Sequence, residues 1–255
     1  MGFFRRLLGF ESSGLPMRPS TSNGSSAFHL WWHDIEGGSP VVAAAATLEI
    51  LQRPTTDDLY FWAMQASFTD ATRRNYGSAH LGLQWNQRFP GNGAVNWGGY
   101  SDVSNFGSIL PGSVSQLPST PNDPNTRDYP WMEGGSYRLR ISRVGDGWRG
   151  EVTDVRSGEH AVVRDLHLPG DRLTGLVVWA EVFAPCQAST SVARWSALTA
   201  ERADGSHVRP RSVGLSFPVE GCPNNDTTVD DVGFLQVTCT ERRSRDGASL
   251  ATPGG

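Results

Sequence analysis

The chain has 255 residues, of which 38% are hydrophobic and 19% charged, a content that suits one large all-β domain. Its 26 acidic residues outnumber its 22 basic ones, and the resulting net charge of −4 disfavours nucleic acid as a partner. Every basic residue is arginine, which excludes chemistry that needs a lysine amine, such as Schiff-base formation or a phosphate-binding P-loop.

The beginning of the chain predicts a flexible segment over residues 1–26. Residues 11–26 are rich in Ser, Gly and Pro, which is typical of a linker. Residues 1–10 contain no continuous apolar run of signal-peptide length, and no part of the chain reaches the length of a transmembrane helix. We therefore expect a soluble, cytoplasmic protein without a transmembrane segment.

Residues 27–240 show a repeated alternation of apolar and polar side chains, which predicts β-strands of a single domain. Turns separate these strands every ~8–12 residues, a spacing typical of a sandwich or barrel. Residues 43–51 are the one place where a helix competes, because four alanines favour it, but Pro40 and Pro54 on either side favour a strand. The predicted strands are 28–33, 42–51, 60–68, 81–85, 137–142, 148–155, 160–168, 173–183, 191–199, 212–218 and 233–240.

The segment 101–134 breaks the strand pattern. It holds four prolines between residues 117 and 130, and it ends next to Trp131. A loop of this length in a compact domain is usually a functional lid or an insertion. The last residues, 241–255, are again polar and predict a flexible tail, so the ordered domain is expected at 27–240 with a long loop inside it.

The predicted strand at 173–183 is apolar on both faces. Successive side chains of a strand point to opposite sides, so one face is plain core and carries Leu176, Val178, Ala180 and Val182. The other face places a carboxylate between aromatic rings, in the order Val177, Trp179, Glu181 and Phe183. A strand that is apolar on both faces is covered on both or forms the floor of a groove.

Two neighbouring predicted strands can add polar groups to that groove. If Leu81 and Leu83 point into the core, then Gln84 points the other way. Aromatic rings stack on the C–H faces of sugars, and amides and acids bond to their hydroxyls. The sequence therefore predicts a module that binds carbohydrate or a small polar ligand. The candidate ligand-binding residues are Gln65, His80, Gln84, Asn86, Trp97, Trp131, Trp179, Glu181 and Phe183.

Three alternatives to this groove remain. The first is a second core layer, in which Glu181 and Gln84 satisfy each other or backbone groups. The second is a glycoside hydrolase or lyase, which needs two carboxyl groups about 5–9 Å apart, with Glu181 as the catalytic residue and Glu151 or Asp154 as its partner. The third is a structural or partner-binding protein with an exposed apolar patch. The sequence does not specify the oligomeric state.

The oxygen-rich run at 224–231 is the best candidate for a hard cation such as Ca²⁺, through Asn224, Asp226 and Asp230. It lacks the glycine and the final glutamate of an EF-hand loop, so a solvated turn is the alternative, and no other cofactor is expected. The three cysteines at 186, 222 and 239 allow either a bridge between Cys222 and Cys239 or free thiols.

Four runs of residues have a familiar order, at 80–86, 94–100, 135–141 and 147–152. The order of these runs, a ligand strand, then a tryptophan strand and then the two strands of a hairpin, resembles that of concanavalin-A-like lectins and glucanases. The resemblance is closest to poorly characterised bacterial members and covers about residues 58–200. The resemblance implies an antiparallel two-sheet β-sandwich of jelly-roll type, with a concave face that often binds carbohydrate. Glucanases of that class carry Glu-x-Asp-x-x-Glu on one strand. The nearest run here, Glu151-Val-Thr-Asp154, has another spacing, so the resemblance does not extend to hydrolase activity.

Overall fold

The computed structural model describes residues 26–254 apart from 36, 89–92, 122, 187 and 219–221, and every regular element in this part is a β-strand. The strands are β1 (Ser26–Trp32), β2 (Val41–Gln52), β3 (Leu59–Thr69), β4 (Asn75–Trp85), β5 (Gly93–Tyr100), β6 (Ser108–Ile109), β7 (Ser119–Thr120), β8 (Asp123–Asp128), β9 (Ser136–Val144), β10 (Gly147–Asp154), β11 (His160–His167), β12 (Arg172–Phe183), β13 (Val192–Arg202), β14 (His207–Val208), β15 (Ser212–Ser216), β16 (Asn225–Val229), β17 (Phe234–Thr238) and β18 (Ser249–Ala251).

These strands form two antiparallel sheets, each of nine strands within the described ranges. Sheet A has the order β18-β15-β1-β12-β3-β4-β5-β8-β7. Sheet B has the order β16-β17-β13-β2-β9-β10-β11-β6, with β14 paired to β13. The predicted antiparallel two-sheet β-sandwich is therefore confirmed.

The core lies between the two sheets. It is built from the alternate residues that each strand turns inward, and its largest fully buried side chains include Trp62 and Trp97 from sheet A and Trp148 and Trp195 from sheet B. The period-two prediction also holds for β12, whose four predicted core residues are at most 3% exposed. Each sheet consequently has an inner face toward this core and an outer face away from it.

The alanine-rich segment forms β2, as the sequence favoured. Its strand pairs with β9 on one side and β13 on the other. Ala44, Ala46, Leu48 and Ile50 belong to the core cluster. Alternate burial of these side chains outweighs the modest helix propensity of alanine.

Two expectations about irregular segments are wrong. The long loop expected at 101–134 contains β6, β7 and β8, which extend the edges of both sheets. The flexible tail expected at 241–255 includes β18, which pairs with β15 in sheet A. Short strands at sheet edges carry little apolar alternation, so the sequence pattern does not predict them. The predicted N-terminal segment falls almost wholly outside the described residues.

The cysteine pairing differs from the one considered above. Cys186 and Cys222 form a disulfide bond, and Cys239 is a free thiol. Within the described part of the chain, no helix is long and apolar enough to cross a membrane.

Candidate functional site

The candidate site lies on the outer face of sheet A, where β12, β3 and β4 run side by side. The inner residues of these strands are core, so their alternate neighbours must point outward. On β12 these are Val177, Trp179, Glu181 and Phe183. On β3 and β4 they include Phe61, Ala63, Gln65, His80, Gly82 and Gln84.

The strand register arranges these residues in rows across the sheet. Glu181 is opposite Phe61, and Phe61 is opposite Gln84. In the next row, Trp179 is opposite Ala63. Because neighbouring strands lie about 4.8 Å apart, the Cα atoms of Glu181 and Gln84 are separated by about 10 Å, with only Phe61 between them.

The Phe61 ring leans away from this row. Its centroid lies 4.9 Å from that of Trp179 and 5.2 Å from that of His80, and both contacts are edge-on. Those two residues belong to other rows, so the ring extends along the sheet over Ala63 and Gly82, which have little or no side chain. The Phe61 ring therefore packs toward Trp179 and His80 and not directly between the side chains of Glu181 and Gln84.

Glu181 is a carboxyl group without a partner. It is partly buried, and it makes no hydrogen bond or ion pair with any described residue. Burial raises the pKa of Glu181 from its ordinary value of 4.5 to about 7, because a carboxylate loses hydration there and no cation compensates. Near neutral pH this group can therefore both hold and release a proton.

Gln84 supplies a buried amide on the other side of Phe61. Gln84 is only 8% exposed, and its Oε1 atom has no hydrogen-bond partner among the described residues. The backbone carbonyl of Gln84 is fixed separately, because it accepts a hydrogen bond from Trp131 Nε1 at 2.8 Å. Rotation of the amide exchanges oxygen and NH₂, so this side chain can offer either an acceptor or a donor.

The floor of the site is rigid and uncharged. Trp179 is 3% exposed, and its Nε1 donates a hydrogen bond to Gln65 Oε1 at 3.2 Å. Burial lowers the pKa of His80 to about 4, an effect that the side chain of Asn96 partly offsets, so this imidazole is neutral at physiological pH. Trp179 was expected to be an open stacking ring. It instead forms the floor, because Phe61 and His80 pack against it.

Exposed aromatic rings flank the site on two sides. Trp31 of β1 is 38% exposed and Tyr100 of β5 is 51% exposed. His29 links the first of them to the floor, with ring centroids 6.2 Å from Trp31 and 6.3 Å from Trp179. Burial of the hydroxyl, and in smaller part the charge of Glu181, raises the pKa of Tyr100, which places this ring within electrostatic reach of the carboxyl group.

Two of the predicted ligand-binding residues lie elsewhere. Trp97 and Trp131 belong to the core between the sheets and do not contribute to the outer face. Asn86 follows the end of β4, where its Oδ1 accepts a hydrogen bond from the Arg88 backbone at 2.8 Å. Alternation alone does not tell which face of an apolar strand is the inner one, and this ambiguity explains Trp97 of β5. Trp131 lies in the connection between β8 and β9, where no alternation indicates its direction. The remaining candidates share the outer face of sheet A and are Gln65, His80, Gln84, Trp179, Glu181 and Phe183.

The carboxyl pair considered for a glycosidase does not form. Glu151 lies on the outer face of sheet B, where it contacts His160 at 3.1 Å and Arg140 at 3.7 Å. Asp154 ends the same strand and accepts hydrogen bonds from its own turn. The core separates both carboxyl groups from Glu181, because stacked sheets pack about 10 Å apart.

Two of the three residues predicted for the cation site, Asp226 and Asp230, are hydrogen-bonded within the scaffold, whereas the buried Oδ1 of Asn224 has no partner among the described residues. Asp226 accepts hydrogen bonds from Ser244, and Asp230 accepts two from Arg194 at 2.7 and 2.9 Å. Asn224 is buried. Within the described ranges, no group of three or more His, Cys, Asp or Glu side chains is arranged to hold a metal ion.

The residues that sequence reasoning missed are those brought in by β1 and β5. His29 and Trp31 alternate with the core residues Phe28 and Leu30, so their outward direction was readable from the sequence. Their position beside the site was not readable from the sequence, because β1 reaches the site only by pairing with β12, about 150 residues away along the chain.

Comparison with known proteins adds information about the fold. No protein-family model matches this chain, and no curated protein matches its sequence. Among solved structures, a scytalido-glutamic peptidase with a transition-state analogue inhibitor has a TM-score of 0.50 and 11% identity, covering 85% of this chain and 98% of that one. The same peptidase with a peptide-based analogue gives a TM-score of 0.49 at 12% identity with the same coverage. SCP-B of the eqolisin family of peptidases, in complex with the tripeptide Ala-Ile-His, gives 0.45 at 10% identity, again with 85% and 98% coverage. At these identities, the likeness concerns the two-sheet fold.

Proposed function

We propose that this chain is a hydrolase that cleaves peptide bonds, with Glu181 as its acid–base group and Gln84 as a hydrogen-bond donor to the reacting carbonyl. One observation carries the proposal: a partly buried, unpartnered carboxyl group with a pKa near 7 lies two strands away, on the same face and row, from a buried amide whose Oε1 has no partner among the described residues. Carboxyl groups with strongly raised pKa values occur preferentially at functional sites.

The chemistry can be written for a protonated Glu181. Its hydroxyl gives a proton to the carbonyl oxygen of the peptide bond, while its second oxygen takes a proton from the attacking water. The product is a tetrahedral intermediate, whose oxygen the NH₂ of Gln84 stabilises by a hydrogen bond. Transfer of a proton from Glu181 to the amide nitrogen then breaks the C–N bond. Return of the proton from the intermediate restores the acid.

A peptide substrate fits this arrangement better than a glycoside. Glycosidases need two carboxyl groups about 5–9 Å apart, and β1, β3, β4 and β5 carry no acidic residue. Asp128 lies on the same row of the sheet as Glu181, four strands away, with Phe61, Gln84 and Ala94 between them. At about 4.8 Å per strand, the Cα atoms of the two acids are about 19 Å apart. The solved structure with a TM-score of 0.50 is that of a glutamic peptidase, and this likeness supports the same substrate class.

The pH profile of peptide cleavage tests this proposal. Because the protonated form of Glu181 is the active one, we expect kcat/KM to be highest below about pH 6 and to fall tenfold per pH unit above an apparent pKa near 7. The measurement is mass spectrometry of products from a mixed peptide library, incubated with the full chain between pH 3 and pH 9. Absence of cleavage products across this range would refute the proposal.

Carbohydrate binding is the second candidate, favoured by the exposed rings of Trp31 and Tyr100 at the edges of the site. Rings in such positions stack on sugars. For this function we expect calorimetric titration with oligosaccharides to show saturable binding that Trp31→Ala weakens at least tenfold. Val155→Ala is the control, because that side chain is 52% exposed in a hairpin of sheet B. Equal affinities of the two variants would exclude a sugar on this face.

A further inference from the structure

A second feature of the molecule lies away from the proposed active site, at the edge of the sandwich. Arg164 of β11 is only 1% exposed. Its three guanidinium nitrogens, Nε, Nη1 and Nη2, are buried and have no hydrogen-bond partner within the described part of the chain. Buried charges in proteins are normally paired, because an ion removed from water without a partner costs several kcal/mol. Among the described residues, Arg164 therefore has no hydrogen-bonded counter-ion.

The direction of Arg164 follows from the strand register. Arg164 is opposite Gly150 of β10, at a β-bulge that shifts the register before Glu151. Residues directly opposite each other project to the same side of a sheet. Gly150 faces the core, because a Cβ atom there would lie 2.6 Å from the Trp97 ring. Arg164 consequently points inward, toward the end of sheet A that Trp97 belongs to.

A second arginine approaches the same place from sheet A. Arg127 of β8 is opposite Val95, a core residue of β5, so it also projects inward. Its Nη1 donates a hydrogen bond to Ser119 Oγ at 2.9 Å, and its Nε is buried without a partner in the described structure. Burial, followed by repulsion from Arg127, lowers the pKa of Arg164 to about 10, so both groups are charged at neutral pH.

One carboxylate, Asp123, compensates part of the charge of these two arginines. Asp123 offsets part of the effect on Arg164, but its two carboxylate oxygens accept hydrogen bonds from the Asn125 backbone at 3.0 Å and from Thr126 Oγ1 at 2.7 Å. Beside Arg127 the sheet edge contains a cavity of about 450 Å³. Its lining is Ile109, Ser119, Thr120, Asp123, Pro124 and Arg127. Hydroxyl groups and a guanidinium are typical ligands of oxyanions.

We propose that this edge cavity is a binding site for an oxyanion, a phosphate or carboxylate group bound by the guanidinium of Arg127, which lines the cavity, and attracted by the buried charge of Arg164, which lies behind the lining. An anion with two or more oxygens matches the planar fork of arginine and supplies the acceptors that these buried donors lack. The volume exceeds that of a single phosphate, so the anion can be part of a small organic molecule. The proposal does not depend on the hydrolase function.

Thermal unfolding of the full chain with inorganic phosphate as the probe tests this site. Against the same ionic strength of chloride, we expect millimolar phosphate to raise the melting temperature, by about 5 °C at a hundredfold excess over Kd. Acetate in a parallel series shows whether a carboxylate suffices. Saturation at millimolar concentration separates binding from the general stabilising effect of phosphate at high concentration.

Two variants and one control make the test decisive. Arg164→Met is expected to abolish the phosphate effect and to leave the melting temperature in chloride equal or higher, because an uncompensated buried charge is removed. Arg127→Gln, at a less buried position, is expected to weaken binding at least tenfold even if the first variant fails to fold. Arg149→Gln, which removes a surface ion pair with Asp165, should bind like the parent chain. An equal response of the parent chain to phosphate, acetate and chloride would overturn the proposal.

Discussion

Replacement of Glu181 by glutamine is expected to reduce peptide hydrolysis by about 10²–10⁴-fold while the protein becomes more stable above neutral pH. Glutamine has the same shape as the protonated acid, but it can neither give nor take the proton. The activity loss is measured as kcat/KM at the optimum pH of the parent chain. Retained activity would remove Glu181 from the mechanism.

The stability effect has a defined sign. Folding raises the pKa of Glu181 from 4.5 to about 7, so the folded chain binds this proton more tightly than the unfolded chain does. Stability contributed by this group is therefore present below pH 4.5 and is lost as the pH rises to about 7. Glu181→Gln avoids this loss, and we expect its free energy of unfolding to exceed that of the parent by up to about 3 kcal/mol at pH 8. At pH 4 the two proteins should be equally stable.

Glu201→Gln is the matched control for this experiment. Glu201 lies in sheet B, and its ion pair with Arg140, at 2.8 Å, lowers its pKa. Its removal should leave hydrolysis unchanged and should not increase stability at pH 8. If both variants gained the same stability, the gain would come from the reduced net negative charge and not from the buried position of Glu181.

Replacement of Gln84 by alanine is expected to lower kcat by about 10²–10³-fold with little change in KM. The reason is that a hydrogen bond to the tetrahedral intermediate forms only in the transition state, so its loss does not weaken substrate binding. The unpartnered Oε1 of Gln84 means that no hydrogen bond of the described scaffold is lost through that atom. Steady-state kinetics on one peptide separates the two constants.

Gln52→Ala serves as the control for Gln84→Ala. Gln52 is an exposed residue of sheet B, and its Nε2 donates a hydrogen bond to the Thr190 carbonyl at 3.4 Å. Its kinetic constants should match those of the parent chain. A rise in KM with unchanged kcat for Gln84→Ala would contradict the proposed role and would assign Gln84 to ground-state binding.

The period-two pattern predicted the faces of the individual strands well. It placed Trp179, Glu181 and Phe183 together, and it separated Gln84 from Leu83. These assignments succeed because alternation is a local property that burial of one face imposes. The same signal predicted a sandwich or a barrel, and the resemblance to concanavalin-A-like proteins implied the two antiparallel sheets.

The assembly of the site could not be predicted in the same way. Residues 61 and 181 meet because β3 pairs with β12, and local alternation does not encode which strands pair. Arg164 shows a second limit. Strict alternation after the core residues Ala161 and Val163 would point the side chain of Arg164 outward. The β-bulge at this position adds one residue to β11, and the side chain therefore points inward.

The proposed catalytic pair is mounted on β12 and β4, on either side of β3 in the middle of a nine-stranded sheet within the described ranges. A slip of one residue in either strand would send its reacting group to the opposite side of the sheet. The geometry needed for turnover is thus set by the same hydrogen-bond ladders that hold the sandwich together. Inactivation on heating should therefore coincide with global unfolding, and rate measurements would serve as a direct assay of the integrity of the whole domain.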